Sequence, residues 1–332
     1  MSSAIDRAGL REDYAACEAY MRRRGAVVYA MPRMLLPPAR RPYCDAIQAF
    51  TIHADALIDD PNVPADVRVA RYDAYRRAVL ALLAGEDPDP WDGPPGSPED
   101  ALGRRLARAF AHFTRVWEVP PDSVRRLLET MAGDAHVTEY PSFADLERYI
   151  RGSGAPYILW VNALLGRRAH TSEEARERAV AAIFALQLMD NLSDLEEDLA
   201  GGRLCLPLAD LRAFGLDRAD LVRAVRDRRM TGPARDWVRF EVDRACRYLE
   251  RAGDWWRLAD PVARELPRQF VRLTRYGLRL SVGSHHDLFA PARGSRLGWG
   301  AAAGGSFVLG YARASARRLV RRPVRPARPS AG

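Results

Sequence analysis

Apolar residues recur along this chain at three- and four-residue intervals, in one segment after another. The pattern holds in "EDYAACEAYMRRRG" (12–25), "RPYCDAIQAFTIHADALIDD" (41–60), "VRVARYDAYRRAVLALLAG" (67–85) and "PEDALGRRLARAFAHFTRVW" (98–117). It returns over 121–140, 142–154, 172–200, 208–215, 218–229, 234–253 and 260–283. Such spacing gathers the apolar side chains on one stripe of a helix, so each segment is predicted helical. Runs that alternate apolar and polar, as strands do, are essentially absent. Ser97 ahead of Pro98, Glu99 and Asp100 reads as an N-cap with proline at the first helical position. Thr171-Ser172-Glu173-Glu174 reads as another capping sequence, and Asp60-Pro61 as a stop. "GEDPDPWDGPPGSP" (85–98) is a proline- and glycine-rich loop between two helices rather than a domain linker. No fixed-period repeat is present. One all-α domain, a helical bundle with a central cavity, is expected over 1–315.

Composition narrows the setting. The chain has 332 residues, 48% hydrophobic and 28% charged, an ordinary globular balance. All 51 basic residues are arginine, a bias of the kind a GC-rich genome produces. The net charge of +8 is concentrated in "ARRLVRRPVRPARPSAG" (316–332), expected to be a disordered basic tail rather than a nucleic-acid-binding element. Cys17, Cys44, Cys205 and Cys246 are widely spaced and indicate neither a zinc site nor a disulfide framework. The polar start "MSSAIDRAGLRED" is unlike a signal peptide, and "GWGAAAGGSFVLGYA" is too short and glycine-rich for a spanning helix. A cytoplasmic protein without stable membrane insertion is expected.

One segment sits uneasily in a soluble helix. In "LQLMDNLSDLEEDLAGGR" (186–203), Leu186, Met189, Leu192 and Leu195 form a buried stripe, while Asp190, Asp194 and Asp198 stack every four residues along one flank. Like charges at that spacing repel, more strongly when desolvated. A second acidic pair, Asp55 and Asp59 with Asp60 beside it, lies on the apolar helix "HADALIDDP". If the two helices face one another, four or five carboxylates converge, and divalent cations must neutralise them. Mg²⁺ suits these hard oxygen donors and keeps positions open for phosphate oxygens, so the pattern reads as a cage for a departing diphosphate.

These segments resemble the squalene/phytoene synthases, all-α enzymes that join isoprenyl diphosphates head to head. The likeness runs from about Val28 to Arg293. "LLPPARRPYCDAIQAFTIHADALIDD" is similar to the family's first region, "LQLMDNLSDLEEDLAGGRLCLPLADLRAFGL" to its second, and "SFADLERYIRGSG" to the tyrosine-containing segment between them. The resemblance implies the isoprenoid-synthase fold and Mg²⁺ held by Asp55, Asp59, Asp194 and Asp198. It also implies that Tyr149, Gln187 and Arg203 contact substrate, with Tyr276 and Arg293 completing the cradle.

Several positions depart from the family pattern. Where family members carry a His-Ser-Lys-Ser-like stretch that grips a second diphosphate, this chain has Gly25-Ala26-Val27-Val28; an arginine ahead of the first acidic pair is Ile52. The family's Asn-x-x-Arg-Asp becomes Asp190-Asn191-Leu192-Ser193-Asp194, which makes Asp190 a candidate further metal ligand. A tyrosine after Arg203 is Cys205, and Tyr157 and Ile158 stand where the family places valine and glycine, adding bulk to the prenyl tunnel wall. A diphosphate set against Val and Ile would be desolvated and unpaired. One headgroup site survives and the other is dismantled. That pattern implies a prenyltransferase moving a short prenyl group, dimethylallyl diphosphate being the favoured donor, to an aromatic acceptor such as a carbazole or indole in secondary metabolism. A phytoene or squalene synthase relying on Arg33, Arg40 or Arg41, a terpene cyclase, and a non-catalytic relative are the alternatives. The released diphosphate and His53 are candidate bases; His285-His286-Asp287 reads as a helix-terminal turn.

Overall fold

The amphipathic stripes can be buried only against one another, and the resulting bundle follows from that. A computed structural model describes residues 8–24, 26–59, 63–86, 98–134, 137–282 and 284–289, together with 313 and 315. Its helices are α1 (Ala8–Arg24), α2 (Ala26–Leu35), α3 (Arg41–Asp59), α4 (Ala65–Ala84), α5 (Pro98–Val116), α6 (Pro121–Asp134), α7 (Phe143–Gly152) and α8 (Gly154–Ala163). They continue as α9 (Arg167–Thr171), α10 (Glu173–Ser193), α11 (Leu195–Ala200), α12 (Leu208–Ala213), α13 (Arg218–Asp227), α14 (Gly232–Ala252), α15 (Trp255–Leu258) and α16 (Glu265–Ser281). The all-α expectation holds, and no described helix is long and apolar enough to cross a membrane. Residues 316–332 and most of the 85–98 loop lie outside the described residues.

Two groups of helices share one core. On one side α3 packs against α1, α4 and α5, with Phe50 and Phe110 stacked at 3.8 Å between ring centroids. On the other, α10 packs against α14 and α16, with Phe184 stacked on Tyr248 at 4.8 Å. The α8 helix touches both α3 and α10 and so bridges the halves. Inside the bundle, Ile52, Tyr149, Tyr157, Leu186 and Met189 pack on this core yet keep accessible surface.

The structure corrects three sequence expectations. The 172–200 helix is interrupted at Asp194, whose ψ of 5° separates α10 from α11. Ser193 bonds back to the Met189 carbonyl at 2.9 Å, a local alternative to regular helix. The 121–140 helix ends at Asp134, because the β-favouring Val137–Tyr140 run precedes Pro141 and stays extended. Glu139–Tyr140 (β1) pairs in parallel with Leu204–Pro207 (β2), a short two-stranded sheet that the periodicity did not announce. Finally, 260–283 becomes helical only from Glu265.

Close approach of α16 to α10 depends on Gly277. A Cβ there would lie 2.4 Å from the Met189 sulfur. Gly277→Ala is expected to cost about 1–2 kcal/mol, the range for overpacking a tight contact, because Met189 must move. Thermal unfolding measures this directly.

Candidate active site

Asp190, Asp194 and Asp198 sit around the break between α10 and α11, within one short reach of chain. The Asp190 carboxyl is pushed up to about 7, by burial first and by Asp194 second. Asp194 is raised as well, by burial and then by Asp198 and Glu197. Asp198 also raises the thiol of Cys205, to about 12, second to burial. These carboxylates therefore act on one another as like charges in a partly desolvated setting. Ser193, at the position of the missing family arginine, meets Ser281 of α16 at 2.5 Å between hydroxyl oxygens.

Arg203 follows this acidic segment on a tight turn. Its backbone N–H donates to the Asp198 carbonyl at 2.7 Å, and Gly202 supplies the φ of +77° that the turn requires. Its guanidinium donates to Asp134 at the end of α6 at 3.0 Å, and the Tyr140 hydroxyl donates to the other oxygen of the same carboxylate at 2.5 Å. Gln187 donates to Asn191, whose amide in turn donates to the Cys205 carbonyl at 2.7 Å, tying β2 to α10.

Tyr149 feels charges both from α3 and from the Asp134–Arg203 pair. Its phenol is raised by burial, then by Asp134, and also by Asp55, with Arg203 pulling the other way. Asp55, an exposed residue of α3, thus acts on the same side chain as the Asp134–Arg203 pair. A cleft of about 380 Å³ opens beside this cluster, lined by Asp134, Tyr140 and Tyr149 among others.

The remaining expected residues divide. Tyr157 keeps accessible surface opposite α3, whereas Ile158 is 1% exposed and belongs to the core. Tyr276 lies on α16 next to Gly277, on the helix that meets Met189. Asp59 ends α3, but its side chain, like Asp60, Gly25 and Arg293, lies outside the described residues, as do the side chains of Ala26, Val27 and Val28. His53 is not placed as a base: it is buried edge-on to Tyr20 and Tyr75, against Gly103 of α5. His285 and His286 form a one-turn 3-10 segment, as a helix-terminal turn would.

Sequence reasoning missed Asp134, Tyr140, Asn191 and Ser281. Asp134 carried a faint signal, an acidic residue closing an amphipathic helix. Nothing local linked it to Arg203, 69 residues away. Asp134→Asn is expected to raise the KM for a prenyl diphosphate about tenfold, as loosening one charge-assisted bond would, since Arg203 loses the carboxylate that aims it. Steady-state kinetics on the variant test this.

Among the described residues no three His, Cys, Asp or Glu side chains converge as a ready-made metal site. The chemistry of the donors nonetheless fits Mg²⁺. They are carboxylate oxygens, and Asp190 and Asp194 are raised by burial first and by neighbouring carboxylates second, a penalty on the charged form that a divalent cation would relieve.

The fold is that of the isoprenoid synthases. A dehydrosqualene synthase solved in complex with ligand superimposes with a TM-score of 0.71 at 19% identity, covering 93% of this chain and 98% of that one. The squalene synthase HpnC from Alicyclobacillus acidocaldarius gives 0.66 at 22% identity, over 85% and 96% of the two chains. Residues 12–293 match the squalene/phytoene synthase family, and the chain belongs to it. The bifunctional protein CrtB/UppS of Streptomyces coelicolor is 33% identical over 221 residues, 66% of this chain but only 35% of that protein. The 15-cis-phytoene synthase of Synechocystis is 28% identical over 262 residues, 75% of this chain and 71% of that one. Members of the family are enzymes that act on prenyl diphosphates, generally with Mg²⁺.

Proposed function

We propose that this protein is a cytoplasmic Mg²⁺-dependent prenyltransferase that moves one short prenyl group, dimethylallyl in the favoured case, from its diphosphate to an aromatic small molecule such as a carbazole or indole. The observation that carries the reading is the fate of the cations near the start of α3. Arg33 donates to Asp45 at 2.7 Å, Arg40 to Asp260 at 2.6 Å and to the Leu164 carbonyl, and Arg41 to the Leu36 carbonyl at 3.1 Å. Ile52 occupies the Asp55 face of the same helix, one turn away. Each of the three arginines already has protein partners. Recruiting one for a second diphosphate would strip a buried carboxylate such as Asp45, 1% exposed, of its counter-ion.

On this reading Asp55, Asp59, Asp190, Asp194 and Asp198 hold Mg²⁺, which when bound neutralises charge on the departing diphosphate. Arg203, aimed by Asp134, binds that diphosphate. Tyr157 shortens the space for the prenyl chain, and the apolar bundle interior excludes water from the allylic cation. The bond between prenyl C1 and oxygen breaks and a bond from C1 to an acceptor carbon forms. The ring proton then leaves to the released diphosphate. Diphosphate release from the C5 donor tests the reading: it should rise sharply when a carbazole or indole is added. Release that is indifferent to acceptor contradicts it.

A further inference from the structure

Another cavity lies on the far side of α16 from the acidic segment. Gly277 turns one face of this helix to Met189 of α10. Arg275, Leu278, Arg279 and Val282 fall on the opposite face, where a cavity of about 530 Å³ opens between α14 and α16. That volume is in the range of small-molecule sites, about 300–1,000 Å³. Its floor is apolar: Leu249, Leu278 and Val282 are buried, and Val242 adjoins them. Arg275 and Arg279, one helical turn apart, are exposed at its rim together with the partly exposed His286. Among the described residues that line it, the one acid is Glu250.

The rim is held in place by the rest of the fold. Arg235 of α14 donates to Asp287 at 3.2 Å, and the other oxygen of Asp287 accepts from the Phe289 N–H at 3.1 Å. Arg228 lies over the Phe289 ring at 4.7 Å. These contacts anchor the turn that carries His286, whose φ of +57° is uncommon for a residue other than glycine. Neither Arg275 nor Arg279 makes a hydrogen bond or ion pair with a described residue. Their charge still reaches the floor. Burial raises the Cys246 thiol, Asp243 and Glu250 add to this, and the two arginines oppose it.

Charge and shape together select the ligand. Guanidinium groups pair with carboxylate or phosphate oxygens through two parallel bonds, so two unengaged arginines suit an anionic head. The recessed apolar floor suits a chain attached to that head. A membrane face is disfavoured, because the exposed large apolar residues described, Val67, Val69, Val116 and Val222, lie on other helices.

We infer that this cavity binds a free single-chain anionic amphiphile, an alkyl carboxylate or phosphate, with its head on Arg275 and Arg279 and its chain on Leu249, Leu278 and Val282. The inference is independent of the transfer reading and requires no Mg²⁺.

Cys246 lines the cavity and serves as a reporter. The full-length protein, without Mg²⁺, would be treated with N-ethylmaleimide, and modification at Cys246 followed by peptide mass spectrometry. Dodecanoate or dodecyl phosphate, kept below the concentration at which micelles form, is expected to largely abolish labelling of Cys246. Acetate and inorganic phosphate, which lack the chain, and the cationic dodecyltrimethylammonium should not protect. Arg275→Gln with Arg279→Gln, two exposed changes, should leave the Tm unchanged and raise the amphiphile concentration needed for protection about tenfold or more. Equal protection by the cationic chain, protection that survives in the double variant, or none at all overturns the inference. Arginine-dependent binding to phosphatidylglycerol vesicles, with no protection by either free amphiphile, overturns it in favour of a membrane surface. The comparison of head groups in the wild type stands even if the variant misfolds.

Discussion

Asparagine at position 194 is expected to reduce turnover at least a thousandfold, the largest effect of any single change proposed here. Asp194 occupies the break between α10 and α11 and lies between Asp190 and Asp198 in the acidic series. Loss of one carboxylate from a divalent-metal site weakens the charge set against the leaving diphosphate, a contribution on the order of several kcal/mol to the barrier. The same substitution relieves repulsion in the free protein, where Asp198 and Glu197 already raise the Asp194 carboxyl. Asp194→Asn should therefore keep or slightly raise its Tm without Mg²⁺ while losing activity. Retention of a tenth of the wild-type rate would remove Asp194 from the metal set. A fall in Tm matching the loss of activity would make its role structural.

The second large effect is a pH-dependent stability that Mg²⁺ reverses. The folded protein holds the Asp190 proton up to about pH 7, against an ordinary value of 3.8. A raised carboxyl contributes its stability in full at low pH, and that contribution disappears as pH climbs through the folded value. Without metal, stability should fall by about 2 kcal/mol between pH 5 and 8 on account of Asp190, discounted for its partial accessibility. Asp45, raised by burial to about 6, and Glu241, raised by burial to about 8 against the pull of Arg244, add slopes of the same sign. Mg²⁺ competes with the Asp190 proton, so its binding should tighten as pH rises through 7 and should restore the lost stability there. Asp190→Asn flattens the slope in part and reduces the Mg²⁺ effect. A Tm without Mg²⁺ that rises from pH 5 to 8 would contradict the raised Asp190 carboxyl.

The bundle was legible because its helices carry their burial pattern locally: a stripe at three- and four-residue spacing needs no knowledge of the partner. The acidic pairs were legible for a related reason, since Asp55 with Asp59 and Asp190 with Asp194 break the rule against stacking like charges and demand a cause. What escaped depends on distant chain. The β1–β2 pairing joins Glu139 to Leu204, and the Asp134–Arg203 ion pair crosses the same gap. The interruption at Asp194 escaped because Asp198 N–H still reaches the Asp194 carbonyl at 2.8 Å, a nearly helical connection that leaves the apolar period intact. The assignment of Arg33, Arg40 and Arg41 to Asp45, Asp260 and the Leu36 carbonyl likewise needed the fold.

Mass spectrometry of the products offers the most direct test of single-donor transfer. Purified protein with Mg²⁺ would be incubated with C5, C10, C15 and C20 diphosphates, each with and without carbazole- and indole-type acceptors. The expected result is a product only when acceptor is present, heavier than the acceptor by one prenyl group and formed best from the C5 donor. A C30 or C40 hydrocarbon, or its cyclopropyl diphosphate precursor, formed from donor alone would contradict it and show that a second diphosphate is bound after all.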